Sequence, residues 1–375
     1  MRGVDDPLFS VVLPSYNRRP ILERVLWAWE AQEPRELPFE LVIVDDGSTD
    51  GTAELVADWR SSRFGLRREH QPNAGPAAAR NRALSLARGA LVLFSGDDIE
   101  PSPRLLAEHW RGRCEQASEG AAIVGLTRWA DGQGVTSTMC HVDGPGAQQF
   151  SYYYFVDGTE YDFRHFYTSN VSAPRALLAL EPRGFSTEFP HAAFEDTEYA
   201  YRLSRHGLRI FYRAAAVAYH HHFYRAQGFF ERQVRCGQMA RLLVAMHPQL
   251  VRWAGLRELE WLRLEMLAAD DAWRRRQEMV AADLEGWEMR VVRIAALYDE
   301  PPLAETGTLL QPLFNYAFLR GVATSMEDAA SGRRVAAELY LRELPRAVQS
   351  FARQLAHLGL PAPRADLDAV CGLLG

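Results

Sequence analysis

The sequence predicts an α/β domain with a doubly wound, mixed and mainly parallel sheet, followed by an all-α domain. In the first half of the chain, short apolar runs alternate with helical patterns, and this order indicates right-handed strand–helix–strand crossovers. The runs are near-continuous Val, Leu, Ile and Phe, as expected of strands buried on both faces of a parallel sheet. We therefore predict an α/β domain over residues 1–226 and a helical domain over residues 227–375.

The strands and helices of the first domain follow from these patterns in chain order. Strands are predicted at Phe9–Leu13, Leu41–Val44 and Leu91–Phe94. Helices are predicted at Ile21–Gln32, Thr52–Arg60 and Pro76–Arg88. Between residues 121 and 167, glycines separate short β-like pieces such as Ala121–Leu126, which indicates an extension of the sheet. A helix at Glu195–His206 and a strand at Ala214–Tyr219 complete the domain.

The helical domain is predicted from the spacing of its apolar residues. Residues 229–298 have the pattern of long amphipathic helices, with five apolar residues at helical spacing: Leu242, Leu243, Met246, Leu250 and Trp253. Pro301 and Pro302 interrupt this pattern, because proline breaks a helix interior. Further helices are predicted from Leu309 to the last residue.

The composition is that of a globular protein with no affinity for nucleic acid. Of its 375 residues, 47% are hydrophobic and 24% are charged, which suits two domains with sizeable cores. The net charge is −6 with scattered positive charges, so no nucleic-acid partner is expected. All 42 basic residues are arginines, which excludes P-loop lysines and Schiff-base chemistry.

The spacing of the cysteines and the hydropathy of the chain indicate the cellular compartment of the protein. The four cysteines, Cys114, Cys140, Cys236 and Cys371, are far apart and form no CxxC pair, so we expect free thiols in a reducing compartment. The chain opens on no signal-peptide pattern, and no window reaches the ~18 apolar residues that a membrane span needs. We expect a cytoplasmic protein, either soluble or peripheral at the inner membrane face.

Polar residues follow each of the first three predicted strands. These loops are Pro14-Ser15-Tyr16-Asn17, Asp45-Asp46-Gly47-Ser48 and Gly96-Asp97-Asp98. Ligands of open parallel sheets bind beyond the carboxyl ends of the strands, so the three loops should converge. Four gathered carboxylates repel one another unless a cation or hydrogen-bond donors are present. This pattern predicts a site for a metal-bound phosphate ligand.

Ordered motifs over residues 11–203 resemble those of family 2 glycosyltransferases. They are VVLPSYNR at 11–18 followed by VDDGSTDGT at 44–52, NAGP at 73–76 followed by ARN at 79–81, LFSGDD at 93–98, and FEDTEYAYRL at 194–203. The resemblance implies a Rossmann-like glycosyltransferase A-type domain that binds a nucleotide sugar. The helical domain lies outside the resemblance.

The resemblance implies a donor-binding site made of motif residues. These residues are Pro14, Ser15, Tyr16, Asn17, Asp45, Gly75, Arg80 and Asp97. Asp45 falls on the family's base-recognition carboxylate, which can accept a hydrogen bond from a pyrimidine N–H. Arg80 could offset the pyrophosphate charge, and Asp97 could contact the ribose or a metal-bound water. The alternatives are a helix-capping turn at Asp45–Gly47 and a solvated helix face at Arg80.

The implied metal site falls on Gly96-Asp97-Asp98, where glycine replaces the first aspartate of the family's DXD motif. Its last aspartate, Asp98, is predicted to coordinate Mn²⁺ or Mg²⁺ bridging the two phosphates. A histidine ligand of family members falls on His220, and imidazole suits Mn²⁺ better than Mg²⁺. Alternation along an extended segment places His220 and His222 on one face and His221 on the other. The alternatives are a plain turn and structural histidines.

Asp196 is the predicted catalytic base by the same resemblance. It would lie at the start of a helix, where the positive end of the helix dipole favours the ionised carboxylate. Glu195 and Glu198 point in other directions on a helix, and the alternative is that the acidic residues only cap it. The implied mechanism is single displacement with inversion, in which Asp196 deprotonates the acceptor hydroxyl and the metal on Asp98 stabilises the leaving nucleoside diphosphate.

The predicted donor is a nucleotide sugar, with UDP-sugars favoured, and the predicted acceptor is a hydroxyl of a glycan, a lipid-linked glycan, a peptide or a small molecule. A processive polymerase is disfavoured because the nearest string to its QxxRW motif is Gln233-Val234-Arg235-Cys236-Gly237. A dehydrogenase is disfavoured because no GxGxxG follows the first strand. The alternative is a catalytically silent nucleotide-binding module. The sequence feature that suggests it is Gly96, which stands in place of a metal-motif aspartate.

The helical domain has three candidate roles on sequence grounds: acceptor binding, homo-oligomerisation and contact with a membrane surface. The third is suggested by its arginines and by four tryptophans: Trp253, Trp261, Trp273 and Trp287. An amphipathic helix of this composition can lie in a membrane interface. Packing of the tryptophans in a core is the alternative.

Overall fold

The computed structural model describes residues 7–253, 270–325 and 328–374. They form two compact units. The first unit comprises the residues up to 133 together with 154–222, and the second comprises 134–153 and the residues from 223 onwards. Residues 134–153, which precede the predicted boundary at residue 226, therefore group with the helical unit.

The first unit is built on a mixed sheet of nine strands. They are β1 (Phe9–Ser15), β2 (Phe39–Asp45), β3 (Gly65–His70), β4 (Leu91–Ser95), β5 (Ile99–Pro101), β6 (Ala121–Trp129), β7 (Glu160–Tyr161), β8 (Asn170–Pro174) and β9 (Arg209–His220). Their order is β3-β2-β1-β4-β8-β6-β9-β5, and β7 pairs with β9. The pairs among β1 to β4 are parallel, as is β6 with β9, whereas β5, β7 and β8 are antiparallel to their partners. The predicted mixed, mainly parallel sheet is confirmed.

The helices of the first unit connect these strands. They are α1 (Arg19–Glu30), α2 (Thr52–Asp58), α3 (Pro76–Leu86), α4 (Leu105–Cys114), α6 (Arg175–Leu178) and α7 (Glu195–Ser204), while α5 (Ser137–Asp143) lies in the second unit. The predicted helices at these places are confirmed with shifted ends. Helix α1 begins at Arg19 because proline, here Pro20, is accommodated in a first helical turn.

The core of the first unit forms where α1 packs on the sheet. Strands β1, β2 and β4 are buried along almost their whole length, as their uninterrupted apolar runs predict. Phe9, Val11 and Leu13 of β1 share one buried cluster with Leu22 and Trp29 of α1. This packing holds the carboxyl ends of β1, β2 and β4 side by side.

Four strands and two helices of the first unit do not follow from the apolar pattern. Strand β3 has the sequence GLRREH and only exposed or half-buried residues, because it lies at the edge of the sheet beside β2. Strands β5, β7 and β8 are two to five residues long and exist through their pairing with longer strands. Helices α4 and α6 were also not predicted. Tertiary pairing decides short and edge strands because their own sequences carry little periodicity.

The second unit contains, besides α5, the helices α8 (Ala226–Met246), α9 (Asp271–Ala282), α10 (Leu284–Ala296), α11 (Gly307–Thr324), α12 (Ala329–His357) and α13 (Arg364–Cys371). The predicted continuation of the first amphipathic helix to Trp253 is wrong. Helix α8 ends at Met246, and Leu250 lies in a separate short turn that begins at Pro248. The residue before a proline is disfavoured in the helical conformation, so His247 ends α8. Trp261 lies outside the described residues.

One aspartate joins three segments of the second unit. The Asp299 carboxylate accepts hydrogen bonds from the backbone N–H groups of Thr138 and Ala226, each at 2.8 Å, and its carbonyl oxygen accepts one from Ser137 at 2.8 Å. Asp299 itself is almost fully buried. These bonds attach α5 and the start of α8 to the segment after α10, which explains why residues 134–153 group with the helical unit.

Helices α8 and α11 pack closely through two glycines. A Cβ atom on Gly237 would overlap the Phe318 carbonyl oxygen, and a Cβ on Gly321 would overlap the Val234 carbonyl oxygen. Both are backbone atoms, so a side chain cannot be accommodated by a change of rotamer. Within the described residues, no helix is long and apolar enough to cross a membrane.

We expect Gly237→Ala to destabilise the helical unit by about 1–3 kcal/mol, because the added methyl group forces α8 and α11 apart. Gly228→Ala is the matched control on the same helix, since nothing lies within 4 Å of a Cβ there; alanine should stabilise it by up to about 1 kcal/mol through helix propensity. Urea unfolding followed by circular dichroism at 222 nm measures both. Equal stability of the two variants would contradict the close contact.

Candidate functional site

Three loops meet at the carboxyl ends of β1, β2 and β4. The Ser15 hydroxyl and the Tyr16 N–H both donate to Asp97 Oδ2, at 2.9 and 3.1 Å, and so join the loop after β1 to the loop after β4. The Asn17 N–H donates to Ser48 Oγ at 2.9 Å and joins the same loop to the one after β2. The predicted convergence of the three polar loops is therefore confirmed.

Asp45 lies at the end of β2 with one oxygen engaged and one unsatisfied. Its Oδ2 is 2.7 Å from His70 Nδ1 and accepts a longer bond from the Ser48 N–H. Its Oδ1 is buried and has no hydrogen-bond partner among the described residues. A buried carboxylate oxygen without a donor is costly, so this atom is suited to receive a donor N–H from a bound molecule.

Asp46 organises the loop that precedes α3. Its two oxygens accept the N–H groups of Ala74 and Gly75, each at 2.9 Å, and Oδ1 also accepts from the Gln71 amide. The N–H of Gly75 is therefore already used within the protein. Gly75 has a φ of +87° and open space where a Cβ would be. A ligand could approach its backbone closely there.

Asp98 lies with two histidines at the same edge of the sheet. The distance from Asp98 Oδ2 is 3.5 Å to His220 Nε2 and 3.9 Å to His222 Nδ1. One ligand atom from each of the three residues lies within 4.8 Å of the others. His220 ends β9, which runs parallel to β6 and in the same direction as β1 and β4, so all three side chains lie where the polar loops meet.

The strand pairing of β5 with β9 assembles this cluster. Ile99 pairs with His220, so the residue before β5, Asp98, lies beside the residues that follow β9. The His221 N–H donates to the Asp98 carbonyl oxygen at 2.8 Å, and His221 Nε2 lies 2.6 Å from Glu100 Oε2. The predicted alternation is confirmed: His220 and His222 face Asp98, and His221 faces the opposite side.

The residues after β6 hold the histidine backbone. The Gln133 amide donates to the carbonyl oxygens of both His220 and His222, and the Ala130 N–H donates to that of His220. The Trp129 ring stacks on the His220 ring at 5.4 Å. His220 is thereby held with Nε2 toward Asp98, and its Nδ1 has no partner among the described residues.

The adjacent carboxylates Asp97 and Asp98 have opposite electrostatic environments. Burial and the neighbouring Asp98 charge raise the pKa of Asp97 to about 7. Burial would also raise the pKa of Asp98, but His220, His222 and Arg18 hold it well below its usual range. The Arg18 guanidinium lies 3.9 Å from Asp97 and 3.5 Å from Asp98. Asp98 is thus the anionic member of the pair.

The three acidic residues at the start of α7 have separate partners. Glu195 is paired with Arg80 of α3 at 2.8 Å, and Glu198 with Arg202 at 2.8 Å. Among the described residues, Asp196 accepts hydrogen bonds only from the N–H and the hydroxyl of Thr197. Burial and then the Glu195 charge raise the pKa of Asp196 to about 7, against a smaller lowering by Arg80. Such a pKa lies in the range expected of a general base at neutral pH.

The Arg80 guanidinium contacts other side chains of the protein, unlike an arginine left free to bind a phosphate. One nitrogen donates to Glu195, its guanidinium lies 5.6 Å from the Phe185 ring centre, and its Nε is buried without a partner among the described residues. Arg80 connects α3 with the first turn of α7, which carries Asp196. Its role in binding pyrophosphate stays a prediction.

Several site residues do not follow from the motifs. His70 could not be placed because β3, which it ends, has no apolar pattern. Gln133 and Trp129 come from an irregular glycine-rich stretch, and their contacts with the histidines depend on the β6–β9 pairing. Arg18 is the last residue of the first motif, which was the only available signal for it.

Part of the sequence that forms this site matches a known protein family. Residues 10–164 match the model of glycosyl transferase family 2. This segment belongs to glycosyltransferase family 2. It contains β1 to β4 with Asp45, Asp97 and Asp98, while Asp196 and His220 lie beyond it.

Curated relatives and solved structures are similar over different parts of the chain. Validoxylamine A glucosyltransferase of Streptomyces hygroscopicus subsp. limoneus is 28% identical over 225 residues, which cover 54% of this chain and 49% of that protein. Poly(ribitol-phosphate) β-N-acetylglucosaminyltransferase TarS of Staphylococcus aureus strain Mu50 is 35% identical over 91 residues, 24% of this chain and 16% of that protein. The chain thus spans about half the length of the first of these relatives.

The fold of the chain is similar to that of a solved glycosyltransferase structure. The crystal structure of S. aureus TarS 1-349 superposes with a TM-score of 0.51 at 20% sequence identity, covering 89% of this chain and 91% of that one. At this identity the similarity concerns the fold alone. The predicted glycosyltransferase A-type domain followed by helices is confirmed.

We expect Glu195→Gln to lower the pKa of Asp196 below about 7, because the substitution removes a like charge and keeps the shape of the side chain. Adding Arg80→Gln to that variant should raise the Asp196 pKa again, because a positive charge is lost. The ¹³C shifts of labelled aspartate carboxyl groups, with the Asp196 signal identified from Asp196→Asn, report both changes.

Glu188→Gln serves as the control, since Glu188 is exposed and should leave the Asp196 titration unchanged. An Asp196 pKa near 4 in the unsubstituted protein, or no response to Glu195→Gln, would contradict this electrostatic account.

Proposed function

We propose that the protein is an inverting glycosyltransferase that transfers a sugar from a nucleoside-diphosphate sugar, with UDP-sugars favoured, to an acceptor hydroxyl. The observation that carries the proposal is the clustering of Asp98, His220 and His222 at the edge where the loops after β1 and β2 also meet. Membership of the first segment in glycosyltransferase family 2 supports the same reaction.

The donor nucleotide is proposed to bind across the loops after β1 and β2. The unsatisfied Asp45 Oδ1 is available to an imide N–H of a pyrimidine base. Ser15, Tyr16 and Asn17 border that place, and the Tyr16 side chain is about half exposed (49%). The open backbone at Gly75 leaves room for the nucleotide beside α3. Asp97, held by Ser15 and Tyr16, is proposed to contact the ribose.

The residues around Asp98 fit a divalent cation. One carboxylate oxygen and two imidazole nitrogens lie within 4.8 Å of one another, and such a donor set suits Mn²⁺ better than Mg²⁺. Asp98, kept anionic by its neighbours, would hold the ion together with His220. When bound, a divalent cation neutralises charge on the diphosphate leaving group.

Asp196 is proposed to act as the general base. It accepts the proton of the acceptor hydroxyl as that oxygen forms a bond to the anomeric carbon and the bond from this carbon to the diphosphate oxygen breaks. The incoming and leaving oxygens lie on opposite faces of the sugar, so configuration inverts. The ion pair between Arg80 and Glu195 holds the first turn of α7 in place. The Asp196 carboxylate is mostly ionised above pH 7, because its pKa is raised to about 7.

The acceptor is proposed to be a hydroxyl of a glycan, a lipid-linked glycan, a peptide or a small molecule. Acceptor binding, homo-oligomerisation and contact with a membrane surface stay as predicted roles for the helical unit. A catalytically silent nucleotide-binding module is the second candidate function, and it is favoured by one observation, the glycine at position 96 of the metal motif.

We expect release of nucleotide from at least one UDP-, GDP- or dTDP-sugar in the presence of Mn²⁺. Asp196→Asn should lower kcat by about 10²–10⁴-fold, the usual contribution of a general base, while the Kd for UDP stays unchanged. In the unsubstituted enzyme kcat should rise with pH through about 7, because Asp196 must lose its proton to act.

Asp58→Asn is the matched control, since Asp58 is an exposed carboxylate at the end of α2 and should leave kcat unchanged. If nucleotide binds but no donor is turned over by the unsubstituted protein, the silent module replaces the transferase. Retention of full kcat by Asp196→Asn would remove Asp196 as the base.

A further inference from the structure

A side chain at position 96 would crowd Asp98 and Ile99. A Cβ atom on Gly96 would lie 3.0 Å from Asp98 Oδ1 and 3.0 Å from Ile99 Cγ1. Both contacts are tighter than ordinary van der Waals distances, and Ile99 is buried in the β5–β9 pairing. An aspartate at position 96 would therefore require Asp98 or Ile99 to shift by a few tenths of an ångström. The glycine leaves the Asp98 side chain in its place beside the two histidines.

A third ligand atom is supplied from β9 instead. The separations of Asp98 Oδ2 from His220 Nε2 (3.5 Å) and His222 Nδ1 (3.9 Å) exceed the length of a normal N–H···O hydrogen bond. Two atoms that each lie about 2.1 Å from one ion are themselves about 3–4 Å apart. Both separations from Asp98 are therefore compatible with ligands around a shared cation, and all three ligand atoms lie within 4.8 Å of one another.

The backbone that carries the two imidazoles is held by hydrogen bonds within the protein. Gln133 bonds the carbonyl oxygens of both histidines. His221, between them, is fixed on the other side by Glu100. Arg18 also faces Asp98 Oδ2, at 3.5 Å, and its side chain is about a third exposed (35%), so it has solvent to turn into. Preorganised ligands lower the cost of binding an ion.

We propose that His222 is the third protein ligand of the metal site, in place of the carboxylate that Gly96 cannot supply. The site then binds Mn²⁺ or a similar imidazole-preferring divalent cation without nucleotide, and in preference to Mg²⁺. This inference deepens the proposed function, since it names the cation class of the same site. It does not depend on which sugar is transferred.

The test is a titration of the full-length, nucleotide-free protein with Mn²⁺, in which the electron paramagnetic resonance signal of free Mn²⁺ reports binding. We expect saturable binding at one site, and a Kd raised at least about tenfold by His222→Ala, the scale of losing a group that supports a metal. His206→Ala is the matched control, since this half-exposed histidine pairs with Glu181 in the same unit and should leave the Kd unchanged.

Two further variants keep the test decisive if His222→Ala perturbs folding. Gly96→Asp, which restores the family motif, should weaken Mn²⁺ binding because its side chain crowds Asp98 Oδ1. His222→Asp should keep a three-ligand site but shift its preference toward Mg²⁺, measured by competition against bound Mn²⁺. Tighter Mn²⁺ binding by Gly96→Asp, or an unchanged Kd in folded His222→Ala, would overturn the proposal.

Failure of this inference is distinguishable from failure of the proposed function. Mn²⁺ binding that follows the expected variant pattern, without turnover of any nucleotide sugar, would leave the metal site standing and remove the transferase. Turnover of a nucleotide sugar, together with a Mn²⁺ Kd that His222→Ala leaves unchanged, would support the transferase and exclude His222 as a ligand.

Discussion

Two adjacent carboxylates at one edge of the sheet, Asp97 and Asp98, impose the constraint on which the site depends. Removing such charges from water is costly unless donors or cations surround them. The loop after β1 supplies hydrogen bonds to Asp97 through Ser15 and Tyr16, and the residues at the end of β9 supply imidazoles to Asp98. The need to satisfy these two carboxylates thus brings together segments distant in sequence.

The direction of β9 is what allows its last residues to reach Asp98. The pairing of β6 with β9 shifts register between Gly125 and Leu126, where β9 has extra residues. Such irregularities bend a strand and re-aim its side chains. Asn170 stabilises this one by donating to the carbonyl oxygens of Leu126 and Ala216. The end of β9 then pairs with β5, and this pairing places His220 beside Asp98.

Helix α3 positions the start of α7, which carries Asp196. Asp46 fixes the backbone just before α3, and Asn81 on α3 exchanges two hydrogen bonds with the backbone of Phe185. Arg80, one residue earlier, pairs with Glu195. The helix that carries Asp196 is therefore anchored to the same loops that hold Asp45 and Asp46. A buried ion pair of this kind contributes position more than stability.

The sequence by itself determined the strands β1, β2 and β4, the helices between them and the polar loops that follow them, because burial on both faces imposes uninterrupted apolar runs. It also placed Asp45, Asp98 and Asp196 as candidates through ordered motifs, and His220 through the position of a histidine in the resembled family. Only the tertiary structure decided the edge strand that carries His70, the end of α8 at Met246, the grouping of residues 134–153 with the helices, and the approach of His222 to Asp98. These features depend on pairing between distant segments, whose geometry leaves no periodic pattern along the chain.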